Sequence, residues 1–242
     1  MGKIIILDET SSHPVQLIGK MSGICYGSDI TNETKNYKRG LDCLENNHGR
    51  TLESVDIYMI LEGYSAKTVR EFYTHIGGSP MRLQSSTRYI DYVKKGLPCI
   101  IPPKIEAIPE AKKIFTDTLN AIATAANRLE TEFNIEKEDA SMLFPLAMES
   151  KFVVKCNLRM LIEMSHQRMC NRAFWEYRQL MRDLCKALKA RDSEWEYIID
   201  TYMKPKCDIL GYCPEKFSCG RRPKKEDKIC YNIYRKIKKQ EE

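Results

Sequence analysis

The residues best able to do chemistry fall in four places. The first is His75 and the segment after it, Gly77-Gly78-Ser79-Pro80-Met81-Arg82 and on to Tyr89. A Gly-Gly-Ser turn presents backbone N–H donors. With Arg82, Arg88 and the hydroxyls of Ser85, Ser86 and Thr87, it suits an anionic ligand. The same residues equally make a polar turn entering an edge strand. The segment lacks the Gly-Lys-Ser/Thr ending of a phosphate-binding P-loop. The second place holds Asn157, Arg159 and Arg168. An arginine inside the apolar run NLRMLIEM needs an anionic partner, either a ligand or an internal carboxylate such as Glu149 or Glu163. Arg159 and Arg168 are nine residues apart, which on one unbroken helix puts them about 180° apart. They would then serve different sites or different subunits. The third place is His48 in NNHGRTLES, a ligand-binding or merely solvated loop histidine beside Arg50 and Glu53. The fourth is Cys207, Cys213, Cys219 and Cys230, a set able to ligate zinc, although its five-residue gaps exceed the usual two to four within a ligand pair.

No Ser-His-Asp set, H-E-x-x-H, G-x-G-x-x-G or C-x-x-C is present. That argues against zinc peptidases and dinucleotide-fingerprint dehydrogenases. The 242 residues, 43% hydrophobic and 30% charged, can bury a sizeable core. No window reaches the roughly 18 apolar residues of a bilayer span, and the N-terminus lacks a signal-peptide core. The cytoplasm is the expected location, with no membrane partner. Ten cysteines in a reducing compartment are thiols or metal ligands. The net charge of +6 gathers toward the tail. No nucleic-acid motif accompanies it, and the internal arginines suit small phosphorylated ligands equally well.

These groups need elements to position them. Residues 3–7 and 54–62 read as strands, and 32–47 as a helix capped by Asn32 or Thr31. A helix opens near Ser65 and runs to about 76, with an extended stretch over 81–90. A long helix starts at Pro109 and ends near Phe133. Helices are expected from 137 to about 200, the first broken by Pro145. The class is α+β, a central mixed or antiparallel sheet with several helices. The expected division is 1–203 as the main domain and 204–242 as a Cys-rich basic appendage.

Taken in order, several segments resemble the flavin-dependent thymidylate synthases (ThyX). They are ICYGSD at 24–29, HGRTLES at 48–54, ILEGYSAKTVREFYTH leading to His75, STRY at 86–89, LFPLAMESKFVVKCNLRMLIEMSHQR, and AFWEYR at 173–178. The resemblance covers residues 20 to 190 or so. It implies synthesis of dTMP from dUMP, with methylenetetrahydrofolate as carbon donor, FAD as hydride carrier and NADPH as reductant, in a homotetramer. By resemblance His48, His75, Asn157 and Arg159 contact FAD, with Thr74, Ile76 and Glu163 at neighbouring flavin positions. Ser86, Thr87, Arg88 and Arg168 hold dUMP, with Arg70 and Glu71 near that pocket. The family uses no cysteine nucleophile on uracil, and no residue of this chain is assigned a catalytic role.

The departures are specific. Thr74-His75-Ile76 stands where the family has Arg-His-Arg, and nine residues separate Ile76 from Ser86, one beyond the usual maximum. Glu53-Ser54 replaces Glu-His, Ala140-Ser141 replaces Ala-Arg, and Glu163 replaces an asparagine. Arg50, Lys67 and Arg82 are candidates to restore the lost charge. Two other readings follow: a catalytically altered paralogue that binds nucleotide or flavin in a regulatory role, and a metal- or nucleic-acid-binding module built on the tail.

Overall fold

A computed structural model describes residues 2–77 and 80–227. Gly78 and Ser79 of the expected anion-binding turn lie outside the described residues. So do Cys230 and the basic segment from residue 228.

The chain forms two compact units from interleaved segments. One joins the segment ending at Leu7 to Tyr58–Lys155; the other joins Asp8–Ile57 to residues 156 onward. Four strands make one sheet in the order β1-β2-β4-β3. They are β1 (Lys3–Ile6), β2 (Asp56–Ser65), β3 (Met81–Gln84) and β4 (Glu149–Asn157). β1 runs antiparallel to β2, with Lys3 opposite Glu62. β3 runs antiparallel to β4, with Met81 opposite Lys155. The α+β expectation therefore holds.

β4 corrects the expectation of helices throughout 137–200. Ser150, Phe152, Val154 and Cys156 are buried, while the residues between them are not. That period of two is the signature of a strand with one packed face. Only a short α6 (Lys137–Ala140) precedes it.

In the first unit, α3 (Ala66–Phe72) begins at Ser65, whose Oγ accepts from Thr68 N. α4 (Pro103–Glu106) leads into α5 (Pro109–Glu132), which matches the expected long helix. Phe72 meets Phe152 edge-on, centroids 5.6 Å apart. A second cluster gathers Tyr92, Leu97 and Met148, with Ile122 of α5 and Phe144 against it.

The second unit is helical: α1 (Pro14–Gly23), α2 (Glu33–Glu45), α7 (Leu158–Arg168), α8 (Trp175–Lys189), α9 (Ser193–Tyr202) and α10 (Lys206–Leu210). Its core holds Val15, Ile18, Leu161, Met164, Tyr177 and Trp195, all fully buried. Asn32 caps α2 by accepting from Lys35 N. α1 was not anticipated from sequence. It packs tightly on α2 because two glycines face each other's helices: a Cβ on Gly19 would sit 1.8 Å from Asn36 O, and one on Gly40 1.9 Å from Val15 O. Buried Glu194 of α9 caps α1, accepting from Val15 N (2.7 Å) and Gln16 N (3.0 Å).

Candidate functional site

The first unit gathers the altered signature and the Ser-x-Arg-Tyr segment. α3 ends at Phe72, four residues short of the expected limit, so Thr74, His75 and Ile76 lie in the turn beyond it. Thr74 Oγ1 donates to Glu71 O (2.7 Å), and Ile76 is largely exposed. Arg70 is exposed and Glu71 half-buried on α3. Arg82, from β3, donates to Tyr73 O (3.0 Å) and His75 O (3.3 Å) and lies over the Tyr73 ring at 4.6 Å. It thus brings a guanidinium to the turn that carries Thr74, His75 and Ile76.

Past β3 the chain turns at Ser86-Thr87-Arg88, tightened by Arg88 N donating to Ser86 Oγ (3.1 Å). Arg88 Nε pairs with Glu138 at 2.6 Å, both side chains more than half exposed. Ser141 Oγ donates to Thr87 Oγ1 at 3.2 Å. Nearby, the Asp91 carboxyl is held down at about 2, chiefly by the Lys94 backbone N–H and further by Lys137.

The second unit carries the other set. Asn157 ends β4 and caps α7, its Oδ1 accepting from Met160 N at 2.9 Å. It is buried, so its side chain has a structural task whatever else it touches. Arg159 follows on the first turn. Its Nη1 donates to Glu53 Oε1 (2.8 Å) and its Nε to Glu163 Oε1 (3.3 Å). Of the two internal partners expected from sequence, Glu163 is present; Glu53 is the one missed. Arg50 reaches the same Glu53 at 3.5 Å. The Glu53 carboxyl is held below its ordinary value, first by the Arg159 hydrogen bond and against the opposing effect of desolvation. Exposed His48 precedes Gly49, where an added Cβ would meet Arg159 Nε at 3.4 Å, so this loop lies against the guanidinium.

α7 is unbroken from Leu158 to Arg168, so Arg159 and Arg168 do occupy opposite faces, some 13 Å apart along the axis. Arg168 lies over the ring of buried Tyr177 at 4.8 Å and borders a cavity of about 460 Å³. Cys170, Cys207, Cys213 and Cys219 line that cavity as well. Among the described residues no three His, Cys, Asp or Glu side chains come together in a way that holds a metal. The fourth expected ligand, Cys230, is outside them.

With this geometry in place, comparison with known proteins is decisive. Residues 6–192 match the family model described as thymidylate synthase complementing protein. The chain belongs to the flavin-dependent thymidylate synthase family. It is 29% identical to the flavin-dependent thymidylate synthase of Nitratidesulfovibrio vulgaris over 209 residues, covering 80% of this chain and 81% of that one. Against the Geobacter sulfurreducens enzyme the identity is 26%, over 90% and 94% of the two chains. In fold the chain resembles ThyX from Helicobacter pylori, solved with FAD and dUMP, at a TM-score of 0.62, 19% identity and coverage of 84% and 100%. It also resembles the UMP/dUMP methylase PolB from Streptomyces cacaoi, at a TM-score of 0.68, 16% identity and coverage of 84% and 96%. Among the described residues no helix is long and apolar enough to cross a membrane.

Proposed function

We propose that this family member methylates dUMP to dTMP, using methylenetetrahydrofolate as carbon donor, FAD as hydride carrier and NADPH as reductant, in a homotetramer. What carries the reading is the family match over residues 6–192, together with relatives aligned over most of their own length. Flavin supplies the hydride chemistry, and the protein supplies binding and orientation.

The donor set around Arg159 suits FAD. A half-exposed guanidinium offers N–H groups for a diphosphate, and the adjoining carboxylates accept from ribose hydroxyls. His48, Thr74, His75, Ile76, Asn157, Arg159 and Glu163 are proposed to hold FAD. Ser86, Thr87, Arg88 and Arg168 are proposed for dUMP, with Arg70 and Glu71 beside them. Arg88 must exchange Glu138 for phosphate, which its exposure permits. Arg82 supplies one of the cations missing from the signature.

Adding FAD to purified protein and recording the visible spectrum tests the cofactor; bound flavin bands are expected. Tritium release from dUMP labelled at C5, dependent on folate and NADPH, tests the reaction. A colourless protein that takes up neither FAD nor dUMP overturns the proposal.

One observation favours a second reading, an altered paralogue that binds nucleotide or flavin without turnover. Arg159 sits between two carboxylates, and Ser141 replaces a cation. Loss of one charged contact commonly costs about 2–5 kcal/mol. Rescue of a thymidine-requiring strain by this gene would dismiss that reading.

A further inference from the structure

The whole positive surplus of the chain lies in its last segment. Residues 1–203 hold 27 Lys and Arg against 27 Asp and Glu, whereas residues 204–242 hold 12 against 6. None of the residues proposed for FAD or dUMP belongs to that segment, so the function proposed above leaves its charge without a task. Charge gathered in this way attracts polyanions, and salt screens the attraction.

The described part of the segment, up to Asp227, shows how the charge is displayed. Cys213 pairs with Lys224 through an isolated parallel bridge, and Cys213 N donates to Pro223 O at 2.7 Å. That lays residues 212–217 beside 221–225. Lys216, Lys224 and Lys225 line one shallow groove of about 350 Å³ with Tyr212, and Glu215 and Glu226 line it too. Among the described residues no carboxylate comes within ion-pair distance of these three ammonium groups. Glu215 faces Arg172 instead, at 3.6 Å, and Arg221 and Arg222 share Asp208.

Phe217 stands on the same stretch, 66% exposed. Its carbonyl accepts from Arg172 Nη1 at 2.9 Å. Lys216 Nζ lies 5.6 Å from its ring centroid and Arg172 Cζ 6.0 Å. Lys225 Nζ lies 6.0 Å from the Tyr212 centroid. An exposed ring with cations beside it offers what a nucleobase and its phosphates need, a flat face for stacking and charge next to it. A duplex hides the faces of its bases, so such a ring favours single strands. A lipid surface is better met by an amphipathic helix, and α10, the helix of the described segment, has five residues.

We propose that this surface binds single-stranded nucleic acid, with Lys216, Lys224 and Lys225 on phosphates and a base stacked on Phe217. Binding of this kind needs neither FAD nor dUMP.

Fluorescence anisotropy on the full chain tests it, with labelled oligo(U), oligo(dT) and a duplex, each about 20 nucleotides long so as to exceed one binding site of the usual size. One or both single strands should bind more tightly than the duplex, and the preferred sugar tells RNA from DNA. Lys216→Gln/Lys224→Gln/Lys225→Gln is expected to weaken binding at least tenfold and to lower the salt slope by about 2, from roughly 0.7 per phosphate. Phe217→Ala should weaken it about tenfold, the loss of one stacked base, and leave the slope unchanged. Phe217→Trp, which keeps a stacking face, should bind as wild type does. Wild type that binds neither single strand overturns the proposal, as does a Phe217→Ala variant that binds as tightly as wild type. Phosphatidylserine vesicles or polyglutamate binding as tightly as the oligonucleotides overturn it too, because the tail would then receive any polyanion.

Discussion

At the scale of single residues, the question is what Arg159 does between two carboxylates. Each pair is exposed, so each alone contributes little to stability. In the proposed flavin site their effect on ligand binding would be larger, because Glu53 and Glu163 hold the same N–H groups that a diphosphate would need. Arg159→Ala is expected to weaken FAD binding tenfold to a hundredfold, from about 1.5–3 kcal/mol per charged hydrogen bond. Glu163→Gln should instead tighten it, since the charge competing for Arg159 goes while an amide oxygen remains to accept from a ribose hydroxyl. Flavin fluorescence titration reads both signs. His166, on the last turn of α7, gives a pH dependence. Burial holds its imidazole below the ordinary 6.5, and the Tyr202 carbonyl at 3.3 Å offsets this only in part. The unfolded chain therefore binds the proton more readily than the folded one. Stability is fullest above 6.5 and declines as pH falls through that value toward the depressed one. Urea unfolding between pH 7.5 and 5 should show the decline, and His166→Gln should flatten it.

At the scale of elements, two packing features carry testable weight. Gly40→Ala would force backbone apart at the α1–α2 crossing, where no side-chain rotation relieves a contact with Val15 O. It should cost at least the 1–3 kcal/mol typical of overpacking, read as a lowered melting temperature. Phe152→Ala should cost about 3–5 kcal/mol, because that ring is buried on the packed face of β4 against Phe72. Both features bear on what could be read in advance. α5 and the caps at Asn32 and Ser65 were legible, because capping and helical period are local properties. β4 was missed although SKFVVKC alternates cleanly, since the helix signals around it overrode a period of two. Nothing local marks α1, because Gly19 at its centre disfavours a helix until the partner helix it packs on is known.

At the scale of the whole molecule, α5 sets up an expectation about assembly. Of its 24 residues only Ala126 is buried, and Ile114, Phe115, Leu119 and Ile122 line an apolar groove of about 340 Å³ with Ile105 and Pro145. Apolar surfaces of this kind are where copies of a chain can pack together, which gives the proposed homotetramer a test. Sedimentation should show a tetramer, and Ile114→Lys/Leu119→Lys should shift it toward smaller species. An unchanged tetramer in that variant would place the interface elsewhere.

By itself the sequence determined the family, the α+β class, the opposite placement of Arg159 and Arg168, and which residue types could meet an anion. Those follow from order, composition and helical rotation, all carried by neighbouring residues. Only the tertiary structure decided which charges meet. Glu53 reaches Arg159 from 106 positions away, Ser141 reaches Thr87 from 54, and Arg221 and Arg222 share Asp208 beside Arg168. An arginine's length and flexibility suit many partners, and nothing local distinguishes them. The choice belongs to the packing that brings distant carboxylates within reach.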